Sequence, residues 1–148
     1  MRVVFQADAA TRKNKLGAKP NEDRYYCAPA AGVVCIANGV SRIVTATDPY
    51  PTPSLAELAA TRLVEQAGAL RLTFAARTEP VSETHLVEVF RATSAALGAY
   101  VQEHGPFDLY KNDYPGTIGT LIVASQDTLA WAHLGDTSSS SMAMEEPY

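Results

Sequence analysis

Apolar positions along the chain have two textures: short dense runs, and longer stretches with helical spacing. Arg2–Asp8 (RVVFQAD) is the first short run, β-branched and aromatic, and it predicts a strand. The stretch that follows, to Asp23, is rich in Lys, Asn, Gly and Pro and reads as a loop. Arg24–Ala28 (RYYCA) and Gly32–Ala37 (GVVCIA) are two further runs, separated only by Pro29-Ala30-Ala31. That spacing predicts a hairpin or near neighbours in an antiparallel sheet. Both runs carry apolar residues on both faces, so the expectation is a sheet covered on both sides.

After Asn38-Gly39, a pair that commonly marks a tight turn, the texture changes. Asp48–Pro53 (DPYPTP) holds three prolines and excludes regular structure. Ser54 then fits a helix N-cap, with Glu57 completing a capping box. Leu55, Leu58, Ala59, Leu63 and Ala67 fall on one helical face, and Gly68 is the expected stop. Ser82 caps a second predicted helix, in which Leu86, Val89, Phe90, Thr93, Leu97 and Val101 share a face. It should run to about His104, before Gly105-Pro106. Two more strands follow, Thr117–Ala124 and Thr128–Leu134, joined by Ser125-Gln126-Asp127. The order is three strands, two helices, two strands, a segregation that predicts an α+β fold. The expected domain covers 1–137, and the serine-rich stretch 138–148 reads as a disordered tail.

Composition narrows the function classes. A chain of 148 residues with 47% hydrophobic and 19% charged residues suits one globular domain. Its net charge of −4 argues against broad binding of nucleic acid or of an anionic membrane, which rests on clustered Lys and Arg. No apolar run approaches the roughly 20 residues of a spanning helix, and Met1–Ala10 lacks the layout of a signal peptide. Cys27 and Cys35 lie in strand-like runs without a CxxC spacing. They read as inert buried thiols of a reducing, cytoplasmic setting, able to face each other across paired strands.

Three loop motifs at strand ends could carry chemistry. Pro20-Asn21-Glu22-Asp23 places adjacent carboxylates on opposite sides of an extended chain, where a hard cation could be reached directly and through water. Ala37-Asn38-Gly39 ends one apolar run and Gly135-Asp136-Thr137 ends another. Each alone reads as a turn. The remaining candidates read as structural: His133 as a packed, hydrogen-bonded histidine, Tyr25-Tyr26 as a core and edge pair, and His85 and His104 as helix-surface positions.

In order and spacing, the stretches AKPNEDRYYC, GVVCIANGVS, PGTIGTLIVA and LAWAHLGDTS resemble the N-terminal half of the metal-dependent protein phosphatases of type 2C. The resemblance covers about residues 2–137. It implies a layered α-β-β-α sandwich, here reduced or incomplete. It also implies a dinuclear Mg²⁺ or Mn²⁺ site that activates a water for attack on phosphoserine or phosphothreonine. By the same resemblance Glu22 and Asp23 match the acidic pair, with Asp23 touching metal directly, and Gly39 matches a glycine whose carbonyl binds metal. Asn38 stands where the family has the aspartate that bridges both metals. Ala18 stands in place of the phosphate-binding arginine, which leaves Lys19 and Arg24 as the nearby cations. Ile118 replaces the usual threonine, Thr137-Ser138 replaces Ser-Arg, and the family's later aspartates have no counterpart.

The expectation is therefore at most one weakly held Mg²⁺ or Mn²⁺ and impaired or no phosphatase activity. The alternatives are a non-catalytic module that binds a phosphoprotein or other protein partner, and a fragment of a longer active phosphatase. Self-association or an obligate partner is expected, with no nucleic acid and no membrane.

Overall fold

The computed structural model describes residues 6–11, 21–40, 54–75, 81–105, 116–124 and 128–135. Four strands, β1 (Arg24–Ala28), β2 (Val33–Gly39), β3 (Thr117–Ala124) and β4 (Leu129–Leu134), form one antiparallel sheet in the order β1-β2-β3-β4. Between β2 and β3 the chain makes two helices, α1 (Leu55–Ala75) and α2 (Glu83–His104). The fold is α+β, with the elements in the chain order that the apolar runs predict from Arg24 onward. The hairpin between β1 and β2 turns through a 3-10 turn, Pro29–Ala31, closed by Gly32 at φ 69°. A Cβ on Gly32 would lie 1.9 Å from the Ala124 carbonyl oxygen, so glycine is required twice over.

The strand period of two sorts the sheet into two faces. On the inner face Val33, Cys35 and Ala37 of β2 join Leu121 and Val123 of β3, all buried. Ala60, Leu63 and Ala67 of α1 and Leu86 and Val89 of α2 close over them. Leu63 sits above Gly119: a Cβ there would come within 2.2 Å of Leu63 Cδ2. Tyr26 lies on the same face, with its ring against Gly68 of α1.

Several expectations change here. Gly68 does not stop α1, which continues to Ala75. Its missing side chain makes room for Tyr26, and nothing forces its backbone left-handed. Asn38-Gly39 is no turn: both residues belong to β2 and pair with Ile118 and Thr117. The sheet is helix-covered on its inner face, whereas on the outer face Ile36 and Trp131 are 54% and 57% exposed. Cys27 and Cys35 do not face each other, because Cys27 pairs with Val34 and Cys35 with Tyr26, on opposite faces. Gln6–Asp8 is not strand, and the rest of the predicted first strand lies outside the described residues, as does 138–148. Among the described residues no helix is long and apolar enough to cross a membrane.

The Leu63 contact is the sharpest stability test. Leu63 is fully buried, so Leu63→Ala should cost about 2–5 kcal/mol in a urea unfolding series. The adjacent Arg62→Ala, on the exposed side of α1, should stay within about 0.5 kcal/mol.

Candidate functional site

Strand register, rather than any single loop, assembles the site. Arg24 pairs with Ala37, so one step further along the same antiparallel register sets Asp23 beside Asn38. Asn38 pairs with Ile118 of β3. Gly119 pairs with Leu134, and one step beyond it Gly135 stands against Ile118, where a Cβ would lie 2.8 Å from Ile118 Cγ2. Asp23, Asn38, Ile118 and Gly135 thus form one row across the four strands, at one end of the sheet. Asn38 belongs to the outer face and is exposed, and its carbonyl accepts a 2.9 Å bond from the Thr117 hydroxyl. Asp136 follows Gly135 and, like Ala18 and Lys19, lies outside the described residues.

Glu22 goes the other way. It is 3% exposed, and its Oε1 accepts a 2.6 Å bond from the Ser54 hydroxyl at the start of α1. Ser54 in turn accepts the Glu57 amide at 3.1 Å and receives Leu58 N–H on its carbonyl, as an N-cap residue does. Gly39 lies beneath this seam. A Cβ on it would meet Glu22 Cβ at 2.6 Å and the Ala56 carbonyl oxygen at 2.8 Å. The acidic pair is therefore split between the two faces, with Glu22 tying the loop to α1 and Asp23 left in the outer row.

Arg24 fixes the same loop from the inner side. Its Nη1 donates to the carbonyls of Asn21 (2.9 Å) and Asp23 (2.8 Å), and its Nη2 donates to Glu57 Oε1. The Asp23 amide is held by Asn21 Oδ1 at 3.1 Å. Both terminal nitrogens of Arg24 are engaged within the chain, so a phosphate would have to compete with Glu57 for them. The sequence offered a signal for these bonds in the Ser54 and Glu57 spacing. Helix-capping logic, however, gives Glu57 to its own N-terminus, whereas the fold brings Arg24 to it from 33 residues away.

The other candidates have structural partners. His133 Nδ1 and the Thr120 hydroxyl are 2.8 Å apart across β3 and β4. His85 Nδ1 accepts the Ser82 amide at 3.1 Å and so caps α2, and His104 stacks on Tyr100 at 4.1 Å. Tyr26 packs on the core while Tyr25 is exposed. Cys27 Sγ donates to the Ala7 carbonyl at 3.6 Å.

Among the described residues no three His, Cys, Asp or Glu side chains converge. The row supplies one carboxylate, Asp23, and one amide, Asn38. Hard divalent cations need ligand charge as well as oxygen count, and two such ions held close together repel strongly. Among the described residues of the row, Asp23 and Asn38 are the side chains with an oxygen to offer a cation, one charged and one neutral.

Two outcomes follow from the buried groups. Ser54→Ala removes both the helix cap and the donor to Glu22, and should lower unfolding free energy by about 1–3 kcal/mol. Burial pushes the Cys35 thiol up to about 12 from 9.0. The unfolded chain releases this proton first, so stability is fully present below pH 9 and is lost as pH rises toward about 12. Thermal unfolding across that range should show the decline, and Cys35→Ala should flatten it. Comparison with protein-family models, with curated proteins and with solved structures gives no match, so the register and side chains above carry the functional reading.

Proposed function

We propose that this chain is a type 2C phosphatase-like module with a reduced metal site, weak or silent in hydrolysis, that serves to bind a phosphoprotein or another protein partner. The observation that carries the reading is the outer-face row. Three motifs far apart in sequence, ending in Asp23, Asn38 and Gly135, come to one end of one sheet by strand register. In the layered α-β-β-α sandwich that the motifs imply, this sheet and its two helices correspond to one sheet–helix half. The reading of weak activity rests on Asn38, since an amide there brings oxygen but no charge, and on Arg24, already engaged by Glu57. One Mg²⁺ or Mn²⁺ at Asp23, with water completing its shell, is the most this donor set supports.

Calorimetric titration with Mn²⁺ tests the site. The parent chain should take up at most one ion weakly, and Asn38→Asp should bind about tenfold more tightly, or about 1.4 kcal/mol. Two tight sites in the parent would overturn the reduced-site reading. No gain in the variant would mean that Asn38 does not occupy the bridging position. Activity is the second arm, with p-nitrophenyl phosphate and a phosphothreonine peptide in millimolar Mn²⁺. Metal-dependent turnover by the parent that disappears in Asp23→Ala would replace the binding module with an active phosphatase.

A further inference from the structure

The start of α2 is capped by an imidazole. In the reciprocal cap that opens many helices, the side chain three residues after the cap is Glu or Gln, and it accepts the amide N–H of the cap residue. Here that position is His85. Its Nδ1 accepts the Ser82 amide at 3.1 Å and lies 2.9 Å from the Ser82 hydroxyl. A ring nitrogen that accepts carries no proton, so His85 is neutral, with its hydrogen on Nε2. The cap also seats a hydrophobic pair. Val81, just before Ser82, and Leu86, just after His85, are both buried and both belong to the core cluster. Val81, Ser82 and Glu83 form one wall of a cavity of about 370 Å³, whose other wall includes Leu129, Ala130 and Trp131 of β4.

We propose that this cap is a proton-operated latch: protonation of His85 takes the acceptor from the Ser82 amide and loosens the turn that seats Val81 in the core. The residue type at this position carries the argument. A carboxylate or a side-chain amide accepts throughout the neutral and mildly acidic range, whereas an imidazole ordinarily gains a proton near pH 6.5. Added at Nδ1, that proton meets two donors. The Ser82 hydroxyl can rotate and accept it, but the amide cannot, and is left facing another N–H. The new positive charge also lies in the first turn, at the positive end of the helix dipole.

The charges around the ring are largely committed to other partners. On α2 itself Glu83 and Glu88 lie within a turn of His85; both are exposed, and Glu88 is held by Arg91 at 2.8 Å. Helix α2 packs against α1 and β4. Among the described side chains of those elements, Arg62 pairs with Glu65, Glu57 holds Arg24, and His133 bonds Thr120 on the outer face of the sheet. The neutral ring is the form that caps, so the cap is intact above the ordinary imidazole range and is lost as pH falls through it.

NMR and thermal unfolding of the full chain, from about pH 7.5 down to about pH 5.5, test the latch across that range. At the upper pH the ring ¹⁵N resonances of His85 should show a proton on Nε2 and none on Nδ1. On acidification the Ser82 amide and Val81 methyl resonances should shift along the His85 titration. His85→Gln keeps an acceptor there that does not titrate, and in it those shifts should vanish. Over the same range the Tm of the parent should fall by about 2–4 °C more than that of His85→Gln, the loss of roughly one capping bond. His104→Gln, at the far end of α2, should keep the parent's response. A proton on Nδ1 at the upper pH overturns the proposal, as does a Ser82 amide that ignores the His85 titration. Equal pH dependence in the parent and His85→Gln overturns it too. The first two outcomes are read on the parent alone, which keeps the test decisive even where the variant fails to fold. None of these readouts depends on metal or phosphate, so the latch and the phosphatase-like reading stand or fall separately.

Discussion

The close approach of α1 to the sheet is the contact on which the rest of the molecule depends. Three positions without side chains permit it: Gly119 under Leu63, Gly39 under the first turn at Ala56, and Gly68 on the helix itself against Tyr26. The helix answers with small residues, Ala56, Ala60 and Ala67, all buried. Such packing leaves little slack, since protein interiors are filled to crystal-like density and an added methylene must displace something. The first turn of α1 also carries Ser54 and Glu57, which hold Glu22 and Arg24. The position of the Asn21–Asp23 loop is thus a by-product of how tightly the helix sits on β2.

This explains which parts of the fold were legible in the sequence. β1, β2, β3, β4 and both helices are local statements, written in runs of β-branched residues, in 3.6-residue spacing and in the caps Ser54 and Ser82. Two of the misreadings share one cause. Gly68 and the Asn38-Gly39 pair have local preferences for ending a helix and for turning a chain, and at both places long-range packing overrides the preference. Gly68 is small because Tyr26 needs the room. Gly39 is small because Glu22 and Ala56 need it. Arg24 reads from sequence as a nearby cation, and only the tertiary fold reveals that Glu57 already holds it.

The candidate site was half legible for a related reason. Motif order points to Glu22, Asp23, Asn38 and Gly39 together, and the structure brings them together in space. Alternation then divides them, Glu22 and Gly39 to the helix side and Asp23 and Asn38 to the open side. A strand cannot present neighbouring residues to one surface, so a motif of adjacent residues always serves two masters. Here one is helix anchorage and the other is whatever meets the outer row. A register slip by a single residue would exchange the two sets and put Asp23 into the seam beneath α1.

The placement of both helices between β2 and β3 has a consequence for how the protein is made. Thr117 and Asn38, bonded neighbours in the finished sheet, are separated by 79 positions in the chain. At about 5–20 residues per second, a ribosome takes roughly 4–16 s to deliver β3 after β2. Throughout that interval the β1–β2 hairpin can be complete while the free edge of β2 stays unpaired, with Val33 and Cys35 beside it. During translation, then, the strand at the heart of the finished sheet passes through a stage with an open edge, available for wrong pairing on a neighbouring nascent chain or on a chaperone.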